Sequence, residues 1–245
     1  RMGKKEAVRV GLIGCGKLGR THMECIRELE GMEAAAYGDV YEPSAQAMLE
    51  EFGGDYATTD MERILQDPAL DAIYVTTTHD SHADYCIRAL DAGKHVLVEK
   101  PLAMTVEECV RIGEAVKRSG KKLFSAFKMR YYELLWKAKE LIPHPVMVSM
   151  QMMDHRWGND IWPNDPIKGG GNVVSQGCHS TDILRFVAGG DPVEVYAAGG
   201  NYYQPTGVVD NMAAVFRFDN GVAGNLIQGD CGLPPMTSKF FMQVF

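Results

Sequence analysis

This chain lacks the features that would place it in a membrane, on nucleic acid or in a disulfide scaffold. No apolar run in its 245 residues approaches the roughly 20 residues that a bilayer-spanning helix needs. The opening RMGKKEAVRV passes from charge straight into a strand-like run and contains no apolar core of a secretory signal. Arg1 ahead of Met2 reads as an expression scar. There is no basic excess either: the formal net charge is -7, and Lys4–Lys5, Lys117–Arg118 and Lys121–Lys122 are short groups at element ends that read as solvated faces. A nucleic-acid surface usually needs a basic stripe, so nucleic acid is not an expected partner. The six cysteines include no CxxC pair, and most lie in helical or apolar contexts. They read as buried free thiols in a reducing cytoplasm, without a disulfide framework. What remains is ordinary globular composition, 46% hydrophobic and 23% charged, enough for one large domain or two ordinary ones.

The first half alternates strand and helix. VRVGLI (8–13) predicts a buried strand, followed by a glycine turn and a helix from about Arg20 to Leu29. MEAAAYGD (32–39) is a second strand, and Pro43 opens a helix to Phe52, because proline fits the first helical turn. DAIYVTT (71–77) is a third strand. Ser81 is placed to cap a helix to Ala92, with Gly93 just beyond its end. HVLVEK (95–100) follows, then a capping box of Thr105 and Glu108 opening a helix that ends near Gly120, then KLFSAF. Strands alternating with helices in this way imply a doubly wound parallel sheet covered on both faces, an α/β domain over residues 1–125.

The rhythm then changes. Over residues 126–245 a helix from about Tyr132 to Leu141 and a glycine-led helix are interspersed with VMVSMQMM, VEVYAAG, MAAVFRF and GVAGNLIQ. FDNG joins the last two with an Asn-Gly step, a strong hairpin signal. This half predicts an α+β domain with a mainly antiparallel open sheet. The final KFFMQVF is an apolar strand-like run with no turn after it, which reads as a sheet cut short and left with an unprotected edge.

GLIGCGKLG contains GxGxxG between the first strand and its helix, and Asp39 ends the second strand 20 residues past Gly19. Alone the glycines are a weak signal; with the strand and the acid they complete a Rossmann dinucleotide fingerprint. Gly14, Cys15, Gly16, Lys17, Leu18 and Gly19 are the expected cradle for a pyrophosphate at the helix N-terminus. Asp39 is placed to accept hydrogen bonds from the adenosine ribose and to repel a 2′-phosphate. Val40 and Tyr41 follow it, with no cation to receive that phosphate, so NAD is favoured over NADP. In GKHVLVEKPLA, Lys100 follows a strand whose end should face the ligand crevice; from position alone it is equally well a surface cation.

In GGGNVVSQGCHSTD, a single helix would bring Ser175, His179 and Asp182 onto one face, a histidine with a carboxylate one turn away. Together the glycine loop, TTTHDSHADYCIRALDAGKHVLVEKPLA, FKMRYY and this segment resemble the Gfo/Idh/MocA oxidoreductases, which include glucose–fructose oxidoreductase and inositol dehydrogenase. The resemblance runs from residue 8 to the hairpin strands. It implies hydride transfer from a secondary hydroxyl of a sugar, inositol or related polyol to a nicotinamide, with His179 as acid–base and Lys100 polarising the hydroxyl. It also implies that Thr76, Thr77, His82, Glu99 and Lys100 line the cofactor, and that the second sheet forms a homo-oligomer.

Two departures stand out. Thr78 replaces the family's usual proline, and Ser175 replaces an aspartate that many members carry four residues before the histidine. Serine hydrogen-bonds but brings no charge, so the histidine loses an anion that would favour its protonated form. That bears on how substrate is bound more than on the reaction type. Two other outcomes stay open: NAD-dependent oxidation followed by elimination of a glycosidic bond, and a non-catalytic dinucleotide-binding regulator. Among the remaining signals, His79 and His82 have metal-compatible spacing without a third ligand, so no metal is expected. His155, Arg156 and Trp157 are either substrate contacts or part of a loop against a neighbouring subunit, and Ser175 and Asp182 are further substrate candidates. Arg130 is either a substrate contact or, preferably, a structural partner of a carboxylate.

Overall fold

The computed structural model describes residues 7–233 and 236–245; the Lys4–Lys5 pair lies outside the described residues. The chain divides into two compact units, residues 1–126 and 127–245.

The first unit contains β1 (Val8–Ile13), α1 (Lys17–Glu28), β2 (Met32–Gly38), α2 (Glu42–Phe52), β3 (Tyr56–Thr58), α3 (Met61–Gln66), β4 (Ala72–Val75), α4 (His82–Asp91), β5 (His95–Val98), α5 (Val106–Ser119) and β6 (Leu123–Ser125). Its six strands are parallel in the order β3-β2-β1-β4-β5-β6. Both faces are covered, which is why the strands read as continuous apolar runs rather than alternating ones. On one face Val10 and Leu12 of β1 pack with Met23, Ile26 and Met48 from α1 and α2. On the other, Ile13, Ile73 and Val75 pack with Leu90, Ile112 and Ala115 from α4 and α5. Strand order reverses between β1 and β4, so the loops leaving their carboxyl ends flank a crevice of the kind in which doubly wound sheets bind ligands.

Local differences from the sequence reading have local causes. Helix α1 starts at Lys17, three residues earlier than expected, directly on Gly16. The β3–α3 pair was not anticipated because the strand has only three residues; its one legible cue is Asp60, whose carboxylate accepts the Glu62 amide as an N-cap. Ser81 occupies the N-cap position of α4 but does not cap it, since its hydroxyl turns back to Thr77 and Thr78. Gly93 has the left-handed φ of 76° expected just past a helix end. The Thr105–Glu108 capping box is formed in full.

The second unit contains α6 (Glu133–Leu141), β7 (Met147–His155), α7 (Gly171–Ser175), α8 (Gly177–Ala188), β8 (Pro192–Gly200), β9 (Asn211–Phe218), β10 (Ala223–Gly232) and β11 (Phe240–Val244). The sheet runs β11-β7-β10-β9-β8, antiparallel except for the parallel β7–β10 pair. Ile183, Leu184 and Val187 of α8 bury against Val148, Met150, Phe216 and Leu226 of the sheet. The FDNG hairpin exists, but Asn220 is not left-handed, as a two-residue type I′ turn would require. Instead Asp219, Asn220 and Gly221 make a three-residue loop in which Gly221 alone has positive φ, 86°.

Two further expectations need correction. The glycine-led segment is not one helix but two, α7 and α8, separated at Gln176. Only Cys15 and Cys86 are buried; Cys109 and Cys178 are half-buried, and Cys25 and Cys231 are exposed. Among the described residues no helix is long and apolar enough to cross a membrane.

Candidate active-site residues

In the first unit the three loop glycines do three different things. A Cβ on Gly14, whose φ is 98°, would lie 2.7 Å from the Thr76 carbonyl carbon, so the β1 and β4 loops touch through bare backbone. A Cβ on Gly19 would lie 2.3 Å from the Gly14 carbonyl oxygen, so α1 closes onto the loop only because Gly19 has no side chain. A Cβ on Gly16 would meet nothing within 4 Å. Gly16 faces open space at the N-terminus of α1, where there is no side-chain cap and no acidic residue in the first turn. Four backbone N–H groups without helical partners make such an end a receptor for an anion. The open space at Gly16 and the absence of a first-turn acid are compatible with an anionic group such as a pyrophosphate.

Asp39 braces the same loop. Its carboxylate accepts the Cys15 amide at 2.8 Å and the Tyr41 amide at 2.9 Å. Thr76 hydroxyl donates to the Gly14 carbonyl at 2.5 Å, tying the two loops together. Burial, with the nearby Asp39 charge, pushes the Cys15 thiol up to about 12, so it is an inert packing group in the cradle. Lys17 and Leu18 are exposed at the start of α1.

Glu99 and Lys100 follow β5, and Lys100 is buried, with 9% of its surface exposed. Glu99 meets His22 Nε2 at 2.9 Å and accepts the Lys100 amide at 3.2 Å. Burial alone would raise the Glu99 carboxyl, but the His22 bond and charge, with the Lys100 amide and ammonium, hold it below the usual carboxylate range. His22 escaped the sequence reading. The cue was its place one turn after Gly19, on the buried side of α1, where it also meets Tyr74 edge-on at 5.6 Å.

His82 corrects an expectation. The resemblance places it at the cofactor, yet it is fully buried, with Nδ1 2.7 Å from the Pro101 carbonyl and Nε2 3.2 Å from that of Thr77. The side chain therefore ties the β4 loop to the β5 loop instead of reaching a ligand. Thr77 supports the same loop by taking part in a 2.7 Å bond with Ser81.

In the second unit, Gly170 and Gly171, with φ of 74° and 85°, turn the chain into α7. Ser175 ends α7 and His179 lies in α8; both are buried. The expectation that they share one continuous helix face with Asp182 fails because of the break at Gln176. His179 stands edge-on to Phe127, ring centres 6.0 Å apart. The Asp182 carboxylate is taken up by Arg130, which donates from Nε at 2.8 Å and from Nη2 at 2.5 Å. This bidentate pair is the structural alternative given for Arg130, and it engages both oxygens of Asp182, the residue offered as a substrate candidate.

The Asp154–Trp162 loop is anchored from beneath. Buried Asp154 accepts the Trp157 indole N–H at 3.0 Å and the Lys239 ammonium at 2.9 Å, while buried Asp230 accepts the Trp157 amide at 3.1 Å. Asp230 also binds Gln204 Nε2 at 3.0 Å and the Tyr203 hydroxyl. Exposed Arg156 stacks its guanidinium over Tyr203 at 4.6 Å. These inward-facing acids were missed because, in a strand, a polar residue at a core position is legible only once the register is known. Among the described residues no group of three or more His, Cys, Asp or Glu is placed to hold a metal ion.

Comparison with known proteins points the same way. Residues 8–127 match the model described as oxidoreductase family, NAD-binding Rossmann fold, and residues 138–230 match the GFO/IDH/MocA C-terminal domain. The chain is 29% identical, over 89% of its length, to a 1-carboxy-3-chloro-3,4-dihydroxycyclohexa-1,5-diene dehydrogenase of Comamonas testosteroni, and spans 57% of that protein. It is 28% identical to a myo-inositol 2-dehydrogenase of Thermotoga maritima, over 89% of the chain and 67% of the relative. With a D-xylose 1-dehydrogenase (NADP(+)) of Haloferax volcanii it shares 30% identity over 88% of the chain and 67% of the relative. A crystal structure of a probable dehydrogenase from Thermotoga maritima superposes with a TM-score of 0.82 at 27% identity, covering 92% of this chain and 69% of that one.

Proposed function

Because the chain belongs to the Gfo/Idh/MocA family of oxidoreductases, we propose that it is a dehydrogenase oxidising a secondary hydroxyl of a sugar, inositol or related polyol, with NAD preferred over NADP. One observation carries the reading: α1 starts at Gly16 directly after β1 with open space beside it, no side-chain cap and no first-turn acid, and Asp39 braces the loop, which suits a dinucleotide pyrophosphate. Gly14, Gly16 and Gly19 with the α1 amides would hold the pyrophosphate, Asp39 the adenosine ribose, and the Thr76–Thr77 and Glu99–Lys100 segments the nicotinamide end. When bound, the nicotinamide supplies the hydride acceptor.

The chain's own residues do the rest. Lys100, an ammonium with little access to water, donates to the substrate hydroxyl and lowers its pKa. His179 takes the hydroxyl proton on its imidazole. Ser175 supplies a neutral hydrogen bond where many relatives place an aspartate. Arg156 and Trp157 border the substrate. Asp39 disfavours a 2′-phosphate; the Haloferax relative's NADP in its name makes this preference a matter for measurement.

The test is NADH formation with NAD or NADP and a panel of myo-inositol, scyllo-inositol, D-xylose and D-glucose. His179→Ala and Lys100→Ala should each lower kcat by roughly 100-fold or more on the best substrate. Turnover unchanged in His179→Ala would remove it as the base. The neutral Ser175 also admits a second reading, transient oxidation followed by elimination; glycoside cleavage without net NADH would select it.

The outer face of the second sheet, with Tyr196, Val215, Ile227 and Phe241 exposed, supports assembly as a homo-oligomer. Light scattering checks this, with a monomer at micromolar concentration as the contrary result. Exposed Cys25 and Cys231 suit a cytoplasmic location, where thiols stay reduced.

A further inference from the structure

The inner face of β10 changes character along its length. Gly224 and Leu226 face the apolar core, and the next two inward positions are Gln228 and Asp230, both fully buried. A buried primary amide is costly unless its donor and acceptor are both matched. Those of Gln228 are matched, and by two different helices. Its Nε2 donates to Asn172 Oδ1 in α7 at 2.6 Å, and its Oε1 accepts the Ser180 hydroxyl in α8 at 2.7 Å. All three side chains are at most 1% exposed. Between their anchor points the helix is interrupted: the Gln176 carbonyl accepts the His179 amide at 2.9 Å and meets the Ser180 amide only at 3.4 Å. Gly177 lies beside this contact: a Cβ there would sit 3.4 Å from Gln228 Cγ, an ordinary van der Waals distance.

We propose that Gln228 is a positioning residue for His179: its amide clamps α7 to α8 across the break at Gln176 and thereby sets the direction in which the imidazole, one residue before Ser180, is presented. A continuous helix would need no such clamp, and an apolar side chain at 228 would suffice for packing alone. The inference rests on the reading of His179 as the acid–base group.

The test uses the full chain labelled at histidine Cε1, with the His179 resonance assigned by its loss in His179→Ala. Gln228→Met keeps length and volume but removes both hydrogen bonds. Expected are a shifted or broadened His179 resonance with the His82 and His22 resonances unmoved, a fall in kcat of roughly tenfold or more, and a Kd for NAD within about twofold of the parent, since the nucleotide is assigned to the other unit. Should Gln228→Met fail to fold, Ser180→Ala removes one of the two bonds at the cost of a single atom and is read in the same way. A His179 resonance and a kcat like the parent's overturn the proposal. So does a kcat loss matched by an equal loss of NAD affinity, which marks general damage. Failure of the underlying reading looks different: His179→Ala turns over like the parent, while Gln228→Met still moves the His179 resonance.

Discussion

Helices α1 and α5 sit in the same unit and begin in opposite ways. The start of α5 is closed by its own side chains: Thr105 accepts the Glu108 amide, Glu108 accepts the Thr105 amide, and Glu107 and Glu108 place negative charge in the first turn. The start of α1 has a glycine in the cap position, no side-chain acceptor and no acid. A sequence able to write a full capping box in one place has left the other helix open where strand order reverses. Other helices also start without a side-chain cap, α7 and α8 among them without an acid in the first turn, so what sets α1 apart is its place directly after β1, where strand order reverses.

The sharpest way to break this comparison is to refill the glycines. Gly19→Ala forces a methyl to within 2.3 Å of the Gly14 carbonyl oxygen, so both the melting temperature and NAD binding should collapse, the latter by roughly 100-fold or more. Gly16→Ala places its methyl in open space, so stability should hold while NAD affinity still drops by roughly tenfold. Calorimetry and fluorescence titration separate the two. If Gly16→Ala binds NAD like the parent, the open space beside α1 is not where the pyrophosphate lies.

Asp39→Ser comes next. It removes the charge while leaving a short acceptor near the Cys15 amide, and should lower the preference for NAD over NADP by roughly tenfold. Equal loss with both nucleotides would mean that Asp39 acts only as a loop brace.

Helix α4 offers a third kind of start and a smaller effect. Its first residue, His82, takes no part in capping; burial pushes its imidazole below the ordinary value of 6.5, against the opposing pull of the Pro101 and Thr77 carbonyls and Glu99. A depressed pKa means that the folded state disfavours the proton. His82 thus contributes stability that is whole above about pH 6.5 and is lost as pH falls towards its folded value, at a slope of at most about 1.4 kcal/mol per pH unit. Glu99, whose carboxyl is also held low, adds its own loss only at more acidic pH, below its ordinary value of 4.5. His82→Gln should flatten the melting profile between pH 6.5 and 5. Parallel profiles for parent and variant would remove His82 as the cause.

How much of this was legible in the sequence follows the range of the interactions. The glycine loop, the Thr105–Glu108 box and Gly93 act within a few residues of chain, so their spacing displays them. The Gln176 break does not show, because what accompanies it is Gln228, more than 50 residues away and polar at a core position. The pairing of Asp182 does not show for the same reason: its partner Arg130 lies 52 residues upstream. His22 and Glu99 are 77 residues apart and meet only once β1, α1 and β5 have been assembled. Periodicity names the elements, and pairings across the sheet decide which side chains remain available for chemistry.

The smallest effect attacks the opening comparison from its other side. Thr105→Ala deletes the hydroxyl that accepts the Glu108 amide, and loss of such a cap costs about 1 kcal/mol. Because α5 closes its own end, that loss should appear as a lower melting temperature with the Kd for NAD unchanged. The same alanine at the end proposed to hold the pyrophosphate, Gly16 of α1, is expected to do the reverse. The pair of variants is thus a crossed experiment on two helix starts, read by calorimetry and nucleotide titration. A Thr105→Ala protein that loses NAD affinity along with stability would show that the two starts are not independent, and would count against the proposed place of the pyrophosphate at the start of α1.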